Sequence, residues 1–199
     1  MELAYEAIRV EREILCEPVG CQDQIFAALG GLNMVEFRGL DDIVVHRVPL
    51  SPARQQEIEA HLLVVYTGTR RRANDITSAH IKDIDANTEL LHRMRALVDA
   101  GYREMTGTGG LEQFGKLIDE SWQLKSRLVD GILNDHIRKL YKRGLEAGAF
   151  GGKLLGAGGG GFLLFIVPPE RRAAVLDALG RPQDVEIKIG APGSHIINS

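Results

Sequence analysis

The sequence predicts an α+β fold, and three observations carry that reading. Apolar residues recur at three- and four-residue spacings in several segments, as amphipathic helices require. Between those segments stand short runs rich in β-branched and aromatic residues, such as Leu62–Tyr66 and Phe162–Val167, which read as strands. Glycine supplies 23 of the 199 residues, against roughly 7% in an average protein. Much of that excess lies in one run, Gly156-Ala157-Gly158-Gly159-Gly160-Gly161.

Residues 2–16 form the first helical pattern, with Ala4, Ala7, Ile8, Ile14 and Leu15 on one face. Pro18 and Gly20 stand where that helix should stop. Glu11 falls within the apolar stripe, where an unpaired carboxylate is costly. Either it reaches water at the stripe's edge, or it serves in a site.

A short helix is expected over Gln22–Leu29, with Gly30-Gly31 as a permissive C-terminal stop. Asn33–Phe37, Ile43–Pro49 and Leu62–Tyr66 read as strands. Helical spacing covers about Ala73–Ala100, Leu111–Val129 and Asn134–Glu146, with a break at Gly107–Gly110. Lys153-Leu154-Leu155, the glycine run and Phe162–Val167 then read as strand, loop, strand. Glu170–Leu179 follows as a short helix, and Val185–Ile189 as a closing strand.

Composition excludes several classes. The 44% hydrophobic and 26% charged residues are near globular averages and rule out a disordered or collagen-like chain. The longest apolar run, Phe162–Val167, is far below the roughly 20 residues of a membrane-spanning helix. Met1–Glu6 has neither the basic nor the apolar region of a secretory signal. Cys16 and Cys21 lack the partners of a disulfide framework or a zinc site, and a cytoplasmic setting fits best. The net charge of −3 argues against a dedicated nucleic-acid binder. Arg70-Arg71-Arg72 is either a solvated loop or an anion contact.

Two motifs carry chemistry. The glycine run is longer than a hairpin needs, which points to close approach of its backbone to a ligand or another backbone segment. Gly156, Gly158 and Gly161 satisfy the dinucleotide pattern G-x-G-x-x-G, but they lead into a strand rather than a helix. No Gly-Lys-Ser/Thr follows, so the Walker pattern fails too. The second motif is Gly20-Cys21-Gln22-Asp23-Gln24. Asp23 at a helix start either caps free N–H groups or accepts a proton from a substrate hydroxyl.

Glu11-Arg12-Glu13, Glu17-Pro18-Val19-Gly20-Cys21-Gln22-Asp23-Gln24 and Gly30-Gly31-Leu32-Asn33 resemble the GHMP small-molecule kinases. That superfamily includes galactokinase, homoserine kinase and mevalonate kinase. Lys153–Phe162 resembles its third signature motif. Tyr66-Thr67-Gly68, Arg71, Ala73, Trp122 with Lys125, and Gly148–Phe162 look like the D-glycero-D-manno-heptose 7-phosphate kinase branch.

The resemblance implies a fold and a set of roles. Residues 1–72 would be the remainder of a GHMP kinase N-terminal, ribosomal protein S5 domain 2-like domain. Residues 73–199 would form a ferredoxin-like C-terminal domain. Asp23 matches the catalytic aspartate and Glu11 the glutamate that helps hold Mg²⁺. Gly20 matches a glycine against the sugar, and Arg71 would contact a sugar phosphate. Gly156, Gly158, Gly159, Gly160 and Gly161 would back a phosphate-binding loop.

That loop, a Gly-Leu-Gly-Ser-Ser-like segment, is expected upstream of Glu11 or on a separately encoded N-terminal portion. The implied partners are ATP, with Mg²⁺ as cofactor, and a sugar phosphate, with no nucleic acid and no membrane. The implied reaction is transfer of a phosphoryl group to the anomeric hydroxyl of a heptose 7-phosphate. Kinases of galactose, fucose or a mevalonate-type alcohol are alternatives, as is a truncated, inactive remnant that acts as a binding module.

Overall fold

The computed structural model describes residues 1–17, 19–39, 42–69, 85–128, 134–156, 160–195 and 197. The expectations for Pro18, Arg70–Arg72, the helical stretch 73–84 and residues 157–159 lie outside the described residues. The chain divides into two compact units, Met1–Pro49 with Lys188–Ser199, and Leu50–Ile187. That division differs from the sequence boundary after residue 72. The Leu62–Tyr66 strand pairs on both edges within the second unit, so that unit has to begin before it.

In the first unit, α1 (Glu2–Arg9) runs into a π-helical turn at Val10–Ile14. The Leu15 N–H reaches back five residues to the Val10 carbonyl at 2.9 Å. Cys16 then takes a left-handed φ of 54°, which ends the helix before Pro18 and Gly20. The π turn adds a residue per turn and breaks the three-four register. Ile14 and Leu15 are accordingly 57% and 61% exposed, contrary to the continuous stripe expected from their spacing.

The helix α2 (Gln22–Leu29) matches expectation, with Gly30 at its C-cap. It packs on α1, and Ala4 and Ile25 are fully buried. Strands β1 (Asn33–Phe37) and β2 (Ile43–Arg47) form an antiparallel hairpin that pairs Asn33 with Arg47 and Phe37 with Ile43. The end of the chain lies along the end of α2. Gly31 N–H donates to Ala191 O at 2.7 Å, and Ser194 N–H to Ala27 O at 3.0 Å. A Cβ on Gly30 would stand 2.1 Å from Gly193 N, so this crossing excludes a side chain there.

In the second unit, α3 (Pro52–His61) precedes β3 (Leu62–Tyr66). The helices α4 (Thr88–Thr106), α5 (Glu112–Leu128) and α6 (Asp135–Glu146) follow. Then come β4 (Gly151–Leu154), β5 (Phe162–Ile166), α7 (Arg172–Leu179) and β6 (Asp184–Val185). The sheet order is β4-β5-β3-β6, with every pair antiparallel. Taking the strands in chain order gives 4-1-3-2 with helices in both crossovers, the ferredoxin-like arrangement expected.

Leu63, Val65, Leu163 and Phe165 point from the sheet into a core with Trp122, Ile137, Tyr141 and Val175. The closing strand is shorter than Val185–Ile189. It is Asp184–Val185, paired with Val65 and Val64, and the residues from Lys188 belong to the first unit.

Candidate functional site

Glu11 and Asp23 line one open cavity of about 300 Å³ in the first unit, together with Leu3, Ala7, Gln24, Ala27, Ala28 and Ser194. The alanines are what make the space: larger side chains at α1 and α2 would fill it. Glu11 reaches it from the π turn, and Asp23 from the first turn of α2. That first turn presents free N–H groups and a partial positive charge, which favour a carboxylate.

Asp23 does not cap the helix. Cys21 holds the N-cap position and makes no side-chain cap hydrogen bond. The Asp23 side chain is exposed and lies along the cavity, in reach of a ligand. Glu11 is half-buried and is held from one side, since Gln24 Nε2 donates to Glu11 Oε2 at 2.5 Å. The other Glu11 oxygen makes no hydrogen bond among the described residues. The misfit carboxylate noted in the sequence is paired with an amide rather than simply reaching water.

The remaining expected residues are placed as follows. Gly20 is exposed, with open space where a Cβ would stand, and it does not line the cavity. Arg71, Gly158 and Gly159 lie outside the described residues. Gly156 and Gly161 have φ of 77° and 95°, a region that L side chains rarely enter. Gly160 is buried. All three belong to the second unit.

Two cations flank the glycine run. Lys125 Nζ donates to Gly156 O at 3.3 Å, and Lys153 precedes the run on β4. Burial pushes the Lys125 ammonium below the ordinary lysine range. Burial and the charge of Lys125 push Lys153 down as well. An anion nearby would relieve both effects.

Gln24 falls within the Gly20–Gln24 motif without a role of its own, and Ser194 lies in no motif. Gln24 had a signal: it is a polar residue directly before Ile25-Phe26, on the buried side of α2. Ser194 had none, because only the folded chain end brings it to α2.

A family model described as GHMP kinases C terminal matches residues 90–184. The chain carries a GHMP kinase C-terminal domain. It is 31% identical, over 92% of its length, to a D-glycero-alpha-D-manno-heptose 7-phosphate kinase of Campylobacter jejuni, covering 54% of that protein. It is 30% identical to a bifunctional fucokinase/GDP-fucose pyrophosphorylase of Arabidopsis thaliana, over 70% of this chain and 14% of that one.

Among solved structures, a D-glycero-D-manno-heptose 1-phosphate kinase of Bacteroides thetaiotaomicron shares the fold. It aligns at a TM-score of 0.72 and 23% identity, over 98% of this chain and 55% of that one. The chain thus spans about half the length of the heptose kinases it matches.

Proposed function

We propose that this GHMP kinase chain takes part in ATP-dependent phosphorylation of the anomeric hydroxyl of D-glycero-D-manno-heptose 7-phosphate, a step toward nucleotide-activated heptose. The observation that carries the proposal is the meeting of Glu11 and Asp23 at one cavity. Phosphoryl transfer needs positioning and charge stabilisation more than covalent help from the protein. On this reading Asp23 receives the proton of the attacking hydroxyl. The hydroxyl oxygen bonds to the γ-phosphorus as the bond to the β–γ bridging oxygen breaks, and ADP leaves.

The residues present fit Mg²⁺ as a partial site. No group of three or more His, Cys, Asp or Glu side chains able to hold a metal occurs among the described residues. Mg²⁺ commonly takes only one or two carboxylates, with substrate phosphates and water completing its shell. Glu11 would hold it through its open oxygen, and when bound it would neutralise charge on the ATP phosphates. Lys125 and Lys153 beside the glycine run support an anionic ligand there.

The first unit corresponds to part of the N-terminal half of a GHMP kinase, and Leu50–Ile187 to its C-terminal domain. Activity on this reading requires the Gly-Leu-Gly-Ser-Ser-like anion loop, in the same chain upstream or on a separate one. The free cysteines and the need for ATP favour the cytoplasm. Among the described residues, no helix is long and apolar enough to cross a membrane.

The test is an assay of the chain, alone and joined to an upstream segment carrying that loop, against heptose 7-phosphate, fucose, galactose and mevalonate. Phosphorus NMR of the product should show a new anomeric phosphate on the heptose. Turnover of fucose alone would favour a second reading, a fucose kinase, which the similarity to the fucokinase supports. ATP binding without turnover of any acceptor in either form would favour the binding-module reading instead.

A further inference from the structure

Gln24 is only 8% exposed, and its two amide atoms have different fates. Nε2 donates to Glu11 Oε2 at 2.5 Å, a short, charge-assisted contact in surroundings made apolar by Leu3 and Ala7. Oε1 is buried and has no hydrogen-bond partner among the described residues. A buried acceptor without a donor works against folding, so packing alone gives no reason for an amide here. A leucine or methionine would fill the same space without that penalty. What only the amide provides is the N–H aimed at Glu11.

We infer that Gln24 is a positioning residue that holds Glu11 as a one-oxygen ligand for a divalent cation. The inference rests on the kinase reading above. A glutamate on a π turn has three side-chain torsions to restrain and no neighbouring cation to hold it: no ion pair to Glu11 occurs among the described residues. With Oε2 engaged by Gln24, Oε1 is the Glu11 oxygen without a hydrogen bond among the described residues, and Glu11 lines the cavity that Asp23 shares. Asp23 and Gln24 are adjacent on α2, so one helical turn sets the proton acceptor and fixes the cation ligand. Groups that orient a ligand in this way typically change metal affinity 10- to 100-fold when removed.

The experiment titrates Mn²⁺, read by electron paramagnetic resonance in the presence of ATP. It uses the form of the protein that proves active, in wild type and in Gln24→Leu, Gln24→Met and Glu11→Gln. Expected is a rise of about tenfold or more in the Mn²⁺ dissociation constant for both Gln24 variants, with a melting temperature no lower than wild type. The methionine variant keeps the test decisive if the branched leucine fails to fold. Unchanged Mn²⁺ affinity in both Gln24 variants, with affinity lost in Glu11→Gln, overturns the positioning role and leaves Glu11 as ligand. Unchanged affinity in Glu11→Gln as well overturns the cation reading of the cavity.

Discussion

Thr67 binds Gly161 twice: its N–H and its Oγ1 both donate to the Gly161 carbonyl, each at 2.9 Å. Gly161 N–H in turn donates to Thr69 O at 2.9 Å. The residues after β3 thus clamp the far end of the glycine run, and Thr67 is buried there.

Thr67→Val keeps the shape and removes the hydroxyl donor. A typical lost hydrogen bond costs about 1 kcal/mol. The expected outcome is faster hydrogen exchange at Gly161 and Leu155, whose N–H groups close the base of the run. Exchange at wild-type rates would show that the side-chain bond does not hold the loop.

Arg54 in the second unit is a buried cation, 8% exposed. It donates to Glu104 O at 2.5 Å, Gly109 O at 2.8 Å and Met105 O at 3.0 Å, and to the Glu57 carboxylate at 2.8 Å. These carbonyls belong to the last turn of α4, whose end leaves its carbonyls without intrahelical donors, and to the loop after it. Arg54→Met should destabilise the second unit by about 2–4 kcal/mol, since hydrogen bonds to charged groups contribute roughly 1.5–3 kcal/mol each. Urea unfolding followed by tryptophan fluorescence reads this through Trp122 in the core. A loss under about 0.5 kcal/mol, the range of an ordinary surface change, would contradict it.

Gly151 and Gly115 let β4 and α5 touch. A Cβ on Gly151 would lie 1.9 Å from Gly115 O, which is backbone and cannot swing aside. Gly151→Ala should therefore cost about 1–3 kcal/mol as overpacking. Gly109→Ala, with open space around it, should leave the melting temperature nearly unchanged. Equal melting temperatures for the two variants would contradict this packing.

Burial first, and the hydrogen bond to Asp119 second, hold the Tyr141 hydroxyl well above the ordinary tyrosine range. It stays neutral in the fold where a free tyrosine ionises, near pH 10. Its contribution is complete below that pH and is lost as pH rises further, because only the unfolded chain releases the proton. Lys125 and Lys153, held down in the fold, act with the opposite sign and make stability rise with pH toward about 10.4. Tyr141→Phe should abolish part of the decline above pH 10, read by urea midpoints from pH 8 to 11.5. An unchanged decline would show that Tyr141 does not set the alkaline limit of stability.

The elements that sequence made legible are those with a clear helical period or an unbroken apolar run. The run Leu62–Tyr66 and the stretch after Gly161 read as strands because both are buried in the sheet. The helix α3 has only Ala53, Ile58 and Ala60 as apolar residues, too few to mark a face. Its signal is local instead: Ser51 Oγ accepts from Arg54 N–H at 3.2 Å, and Pro52 follows at the first position. Glu11 stood out in the sequence because it broke an apolar pattern, yet that pattern assumed a regular α-helix. The π turn exposes Ile14 and Leu15. Gln24's grip on Glu11 and the return of Ser194 to α2 are contacts between distant residues, which no period records.

Asp23, which shares its cavity with Glu11, is the proposed proton acceptor. The most direct measurement is the phosphoryl-transfer rate of Asp23→Asn with heptose 7-phosphate, alongside its ATP affinity and melting temperature. Removing a general base typically costs 10²–10⁴ in rate, so the expected result is a fall of at least about a hundredfold with ATP affinity and melting temperature unchanged. Transfer at the wild-type rate by the folded variant would contradict it.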